Sequence, residues 1–581
     1  MKFNTPSPLK VLVLIFVFIL HSSCSKDSDL MTDYVLSETQ NTLDIGQLII
    51  DDTFEVSSPG SITLDVLAND AFENQEEVLI TETSTPSNGT VEINTDNTLT
   101  YTPNLEVVEQ VTETTDASVS EVVDTFTYTT EVVNEDESVS TDTGNVIVTV
   151  GTSANRAPIT GDNVYYVTTS GKSNNNGASE ATAWNIQHAF SAAKAGDVVY
   201  IKAGNYGALS LSISNSGTAD NPIQFIGYTS TPEDLIAING STFSYGDVVN
   251  AAIMPLLNGD GTGTGITVSN NVVLENIQIK DYSLGLILSG SNSTLNNIIA
   301  IDLGNQGASG YDGFGIRVSG SYNTIKNSYI ANATAEAFKV YGGTNNLIQY
   351  LEVRADNVTN PCDYYVILTN TSNNIVEDSR VERAPGLAHG GHGLTSKWNS
   401  KNNIFRRCET VYTNLDLNFE DVTGNLYEDI RMIGQGTSGS YWHTNIDLRN
   451  GANGNTFRNI YMTDVNVAVT FTDDNDGFTP SPDSDVVKLG YNNRFENLIV
   501  ENAATLVQFN GNTNIGGVNS APGNDNIFVG GSFTNIGTIV AIYNDNSGNG
   551  FINSTFKNTT TLVSLANGKP NNISFTNCIF E

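Results

Sequence analysis

Two short segments carry carboxylates at spacings suited to acid–base chemistry. In Leu415-Asp416-Leu417-Asn418-Phe419-Glu420 and Ile446-Asp447-Leu448-Arg449, polar residues alternate with apolar ones. Period-two alternation turns the apolar set to one face of a strand and Asp416, Asn418, Glu420, Asp447 and Arg449 to the other. On neighbouring strands, Asp416 or Glu420 would face Asp447 at roughly 5–8 Å. One carboxyl group of such a pair can protonate a leaving oxygen while the other acts as base or nucleophile. The range spans both the retaining and the inverting geometry of glycosidic hydrolysis. The candidate catalytic residues are therefore Asp416, Glu420, Asp447 and His392.

Three of the five histidines fall near these carboxylates, in Ala388-His389-Gly390-Gly391-His392-Gly393 and Tyr441-Trp442-His443. The glycines let a ligand approach the backbone closely, and the aromatic pair can stack on a ring. A glycine-rich loop fixes two histidines poorly, so no metal is assigned to them. Arg317, Lys339, Lys397 and Arg449 suit an anionic polymer bearing sulfate or uronate groups. With His389, Asn418, Trp442 and His443 they form the candidate binding set. A calcium ion is conceivable at Asp473-Asp474-Asn475-Asp476 with Asp483 and Asp485. That stretch lacks EF-hand spacing and reads better as a solvated acidic loop, so no cofactor is required.

The elements that must position these residues repeat. An asparagine stands two residues before an apolar position at Asn323, Asn346, Asn374, Asn403, Asn425, Asn455, Asn493, Asn526 and Asn549. Intervals of about 22 to 38 residues lie in the range of solenoid rungs. An asparagine at one corner of each coil can take left-handed backbone angles and hydrogen-bond its equivalents above and below. A second strand precedes most of these corners, as in Ile316-Arg317-Val318, Phe338-Lys339-Val340, Val366-Ile367-Leu368, Leu417-Asn418-Phe419 and Ile446-Asp447-Leu448. The outer residues of each triplet point inward and the middle one outward. Arg317, Lys339, Ile367, a residue near Thr395, Asn418 and Asp447 then form the floor of a groove. The longer inter-asparagine intervals place loops on both its borders. Cys408 and Cys578 occupy one inward column and read as core filler.

Stacked parallel strands without crossover helices imply a right-handed parallel β-helix over 163–581. Its opening, with a helical stretch from Ala183 to Ala195 and then Gly196-Asp197-Val198-Val199-Tyr200-Ile201, resembles that of pectate-lyase-like and alginate-lyase-like β-helix enzymes. A helix burying Trp184, Ile186 and Phe190 would cap the first coil, whose edge is otherwise unpaired. His188 on this helix reads as structural. The resemblance implies a polysaccharide-degrading enzyme. The carboxylates favour an endo-acting glycoside hydrolase on a sulfated chain, while a lyase performing β-elimination on a uronate polymer and a non-catalytic glycan-binding solenoid are the alternatives. An Asn-Gly-x-Glu segment followed by arginine, which the alginate-lyase-like family would show, is missing.

Ahead of the solenoid, Asp51 to Val150 alternates in short runs such as Ile62-Thr63-Leu64-Asp65-Val66 and Val146-Ile147-Val148-Thr149-Val150. This pattern predicts a β-sandwich over 45–152. Leu64-Asp65-Val66-Leu67-Ala68-Asn69-Asp70 and Asp124-Thr125-Phe126-Thr127-Tyr128 resemble bacterial cadherin-like Ig modules, read here as an acidic spacer. Residues 153–162 form a linker. The chain is thus expected to be all-β. Of its 64 acidic residues, 27 precede Arg156 against three lysines, so most of the net charge of −39 lies outside the solenoid. The overall acidity leaves an anionic substrate open, because a site responds to its local charges.

The first 24 residues pair Lys2 and Lys10 with an apolar run, Val11 to Leu20, too short to span a bilayer comfortably. With Ser22-Ser23-Cys24 they resemble a bacterial lipoprotein signal, which implies lipidation of Cys24. Residues 25–44 resemble the tether of Bacteroidetes surface lipoproteins. The expected location is the outer membrane, lipid-anchored and surface-exposed, with simple secretion as the alternative. A polysaccharide is the expected partner, nucleic acid is not, and the protein is expected to act as a monomer.

Overall fold

The computed structural model describes residues 49, 52–58, 62–67, 70, 78–94, 97–104, 121–133 and 139–152 of a first compact unit. Of a second it describes 163–235, 249–307, 310, 312–356, 362–385, 391–438, 444–472, 489–511, 513–515 and 518–581. The signal, the tether, Cys24 and the linker lie outside the described residues, as do His389, Trp442, His443 and the acidic loop from Asp473 to Asp485. The units divide between Ser153 and Ala154.

The first unit is an Ig-like sandwich. Asp52–Ser58, Val139–Thr152, Glu121–Val133 and Val78–Thr83 form one sheet in that order, and Ile62–Leu64, Leu99–Pro103 and Gly89–Ile93 the other. Alternation sends Leu64, Val66, Ile80, Leu99, Tyr101, Phe126, Tyr128, Val146 and Val148 into one core. Two buried tyrosine hydroxyls are satisfied by donation to Asp124 at 2.9 Å and Asp70 at 3.1 Å.

The second unit is a right-handed parallel β-helix whose strands pair in register from coil to coil. Its cap is a helix shorter than expected, Ile186–Ala192, because Asn185 accepts from the His188 amide at 2.8 Å and Ala193 leaves helical geometry. Trp184, Ile186 and Phe190 are buried beneath it, and the His188 ring packs edge-on against Trp184. Inside, one position per coil stacks aromatics at 4.3 to 5.3 Å through Phe405, Tyr427, Phe457, Phe495, Phe528, Phe551 and Phe575. Cys408 is buried in a neighbouring column, where desolvation pushes its thiol up to about 12. Cys578 packs only partly, since it lies in the last described coil.

The asparagine column is a continuous buried ladder. From Asn323 to Asn526, each backbone N–H donates to the side-chain oxygen of the asparagine in the next coil at 2.9–3.0 Å, ending on Asn549. From Asn346 on, the side-chain amide donates to that same oxygen at 2.9–3.2 Å. One expectation is corrected: the left-handed residue is the one before the ladder, as at Asn345, Asn373, Asn402 and Asn492. The preceding residue makes the turn, which frees the ladder asparagine to point inward. Replacing Asn425 by alanine strands the Asn403 N–H and is expected to cost about 1–3 kcal/mol. A shift in the denaturant midpoint measures this; an unchanged midpoint would count against the ladder.

Candidate active site

Six strands bear the site: β1 (Phe314–Val318), β2 (Glu336–Tyr341), β3 (Tyr364–Thr369), β4 (His392–Lys397), β5 (Leu415–Asn418) and β6 (Ile446–Arg449). Their register aligns Arg317, Lys339, Ile367, Thr395, Asp416, Asp447 and Thr470 in one outward row. Asp416 therefore takes the middle place expected for Asn418, which pairs one row over with Lys397. Alternation alone predicts Leu417-Asn418-Phe419 as the inward–outward–inward triplet. Instead β5 buries Leu415 and Leu417, and Phe419 leaves the strand at φ 70°. Phe419 is still buried, because Trp398 stacks on it at 4.2 Å. Glu420 follows this turn, beyond the strand, so alternation no longer governs where it points.

The carboxylates expected on an open floor are buried. Asp416 and Asp447 are 0% exposed and Arg449 4%. The Arg449 guanidinium donates from Nε to Asp416 Oδ1 at 2.9 Å, its Nη2 forms an ion pair with the same oxygen at 2.8 Å, and its Nε lies 3.5 Å from Asp447 Oδ2. Two carboxylates on adjacent strands, about 4.8 Å apart, repel strongly where water is excluded, and the cation between them offsets that repulsion. Oδ2 of Asp416 faces His392 Nδ1 at 3.4 Å, which leaves the other ring nitrogen on the far side.

The partly exposed charged groups lie toward β1, whereas Tyr364 is buried. Glu336 takes Lys339 Nζ at 2.6 Å and Arg317 Nη2 at 3.4 Å. The Tyr364 ring stacks on His392 at 4.9 Å between centroids, and Lys397 Nζ donates to Tyr364 Oη at 2.6 Å. Lys397 also lies within 4.7 Å of the Tyr364 and Phe419 ring centroids. Asp363, at the foot of β3, is half-buried. Desolvation pushes its carboxyl up to about 6, Glu336 and Asp416 add to the shift, and Lys397 and Arg449 oppose it. Three cations therefore face one ion-paired carboxylate and one carboxyl drawn toward neutrality, so this end of the groove is locally positive although the chain carries −39.

Of the sequence candidates, the structure brings together Arg317, Lys339, His392, Lys397, Asp416, Asn418, Asp447 and Arg449. It sets Glu420 past the strand end. Glu336, Asp363 and Tyr364 were missed, although each adjoins a recognised triplet: Glu336 precedes Phe338-Lys339-Val340 by two residues, and Asp363-Tyr364 abuts the third floor strand. Among the described residues no group of three or more His, Cys, Asp or Glu is arranged to hold a metal.

Residues 165–313 match the family model for the Pel9A-like right-handed β-helix region, and residues 47–149 that for a bacterial Ig domain. The two matches fall on the Ig-like sandwich and on the opening coils of the β-helix. The Pel9A-like match ends one residue before β1, so it covers the cap and first coils and leaves the site strands outside. No curated protein matches the chain in sequence. Similar solved structures include a GH136 lacto-N-biosidase from Eubacterium ramulus, at 12% identity over 72% of this chain and 67% of that one, with a TM-score of 0.40. Another is the PL6 family alginate lyase AlyGC, at 15% identity over 66% and 51%, with a TM-score of 0.41. A third is the alginate lyase AlyF-OU02 in complex with G6, at 11% identity over 71% and 88%, with a TM-score of 0.40. At such scores they decide nothing about the site, which is read from its own residues.

Asp363 makes stability depend on pH. Its folded pKa, about 6, exceeds the ordinary aspartate value of 3.8. Between those values the folded state binds more protons than the unfolded chain, and stability falls as pH rises. In Asp363→Asn this penalty is absent. The Tm of the variant relative to wild type is expected to climb from about pH 4 to about pH 6 and then level off. A difference that stays flat with pH would contradict the raised pKa.

Proposed function

We propose that the groove binds an acidic polysaccharide and cleaves it internally by β-elimination. The observation that carries this reading is the Lys397–Tyr364 contact at 2.6 Å beside His392, on a stretch where the deeper carboxylates are buried and share the Arg449 guanidinium. Loss of one proton from the ammonium–phenol pair leaves a base whose charge is shared by both groups. That base takes the proton on the carbon next to a uronate carboxylate. The electron pair forms the new carbon–carbon double bond as the bond to the glycosidic oxygen breaks. His392, whose Nδ1 lies 3.4 Å from Asp416 Oδ2, returns a proton to the leaving oxygen. Arg317 and Lys339 bind acidic groups along the chain, and cationic donors near the uronate stabilise charge that builds up in the transition state. The likeness of the first coils to Pel9A-like β-helices and of the N-terminus to lipoprotein signals supports polysaccharide degradation at the cell surface.

A second reading, hydrolysis, is favoured by Asp363: a carboxyl pushed up to about 6 near the ion-paired Glu336 resembles an acid and base pair. One digestion of alginate, polygalacturonate and a sulfated galactan separates the two. Elimination yields ultraviolet absorbance from the unsaturated ends together with reducing ends, and hydrolysis yields reducing ends alone. Lys397→Ala and Tyr364→Phe are each expected to lower kcat by about 100-fold or more with folding intact. Full activity in both variants would remove the pair from the chemistry.

Lipid anchoring at Cys24 belongs to the same proposal. No helix among the described residues is long and apolar enough to cross a membrane. Cys24→Ala is expected to abolish radiolabelled fatty-acid incorporation and to shift the protein out of the membrane fraction. Unchanged labelling would refute the anchor.

A further inference from the structure

The residue before the asparagine ladder makes the same turn in coil after coil. Asn271, Asn292, Asn345, Asn373, Asn402 and Asn492 occupy it, all with positive φ, and each donates its backbone N–H to a carbonyl of the next coil. Tyr322 holds the equivalent place between Asn292 and Asn345, with φ 58° and a hydrogen bond from its N–H to Thr344 O at 3.0 Å. A left-handed backbone crowds Cβ against the carbonyl oxygen, which is why asparagine and glycine fill such positions. Tyrosine is therefore the costly choice, and burial does not repay it, since Tyr322 is 64% exposed. Strain kept at an exposed position points to a contact with something outside the fold.

A second exposed tyrosine stands on the next coil. Tyr341 ends β2, two residues after Lys339 on the outward side, and is 56% exposed. Lys339 Nζ lies 5.8 Å from its ring centroid. The turn that follows Tyr341 is joined to that of Tyr322 through the Tyr322–Thr344 bond and the bond from the Thr344 N–H to Ser321 Oγ at 2.9 Å. Both tyrosines thus border the strand ends of the groove, on the coils of Arg317 and Lys339 and N-terminal to the Tyr364–His392–Lys397 centre.

We propose that Tyr322 and Tyr341 form a sugar-stacking subsite on the rim of the groove, taking pyranose faces of the acidic polysaccharide while Arg317 and Lys339 take its charged substituents. An aromatic ring offers the apolar face that a pyranose matches, and the adjacent cations add selection for an acidic sugar. The inference rests on the polysaccharide reading above and adds where the chain lies: across the two coils N-terminal to the reacting centre.

The test uses the full chain carrying Tyr341→Ala, Tyr322→Asn and both, with alginate, polygalacturonate and a sulfated galactan as probes for binding and turnover. Asparagine suits the left-handed corner, so Tyr322→Asn is expected to fold with a Tm at or above wild type. The double variant is expected to raise KM for the cleaved polymer, or Kd for a bound one, by about tenfold with kcat within about twofold. Cleavage by wild type with KM unchanged in the double variant would overturn the subsite and leave the activity standing. Binding without cleavage, lost in the double variant, would support the subsite while defeating the catalytic reading. No binding of any probe by wild type would overturn both.

Discussion

The structure depends on fixed vertical register between coils. Parallel strands alone would permit slippage, because their hydrogen bonds repeat at every residue pair. The buried asparagine ladder removes that freedom: each side-chain oxygen accepts from the backbone of one particular residue in the preceding coil, and a slipped coil would leave the donor unpaired in the core. Insertions between ladder residues, which separate them by 22 to 38 positions, are absorbed in loops without shifting the corner. The protein can therefore vary its loops while Arg317, Lys339, Thr395, Asp416 and Asp447 stay in line.

That line has two ends with different physics. Toward β5 and β6, Asp416, Arg449 and Asp447 form a buried ion cluster in which the guanidinium holds two stacked carboxylates together. Such a cluster serves geometry better than proton transfer, because its members are already engaged. Its Asp416 Oδ2 lies 3.4 Å from His392 Nδ1. Toward β1 and β2, the reachable groups are cationic and aromatic, with the Asp363 carboxyl pushed up to about 6 by partial burial. The elimination proposed above falls at the boundary between the ends, where Tyr364, His392 and Lys397 meet.

Much of this was legible in the sequence, and for a physical reason. A solenoid repeats its local constraints, so the nine ladder asparagines and the inward apolar pairs declare the fold coil by coil. The cap residues Trp184, Ile186 and Phe190 followed from the need to cover an open edge. What the pattern concealed was where each strand stops. Phe419 looks like an inward strand residue and is buried, yet it turns out of β5 at φ 70° and is covered by Trp398; this misplaced Asn418 and Glu420. Burial depth was hidden as well: alternation shows that Asp416 and Asp447 face outward but not that both are sealed from solvent. Asp363 and Tyr364 were overlooked because they sit at the foot of a strand, just outside the repeating triplet.

The central claim is that residues distant in sequence become register partners on the floor, and cysteine cross-linking tests it most directly. Arg317→Cys and Lys339→Cys are paired across β1 and β2, with Cα atoms about 4.8 Å apart, within disulfide reach. Rapid oxidation to an internal cross-link is expected for that pair and none for Arg317→Cys with Tyr341→Cys, which is two residues out of register. Equal cross-linking of both pairs, or linking of the second alone, would contradict the register on which the site is built.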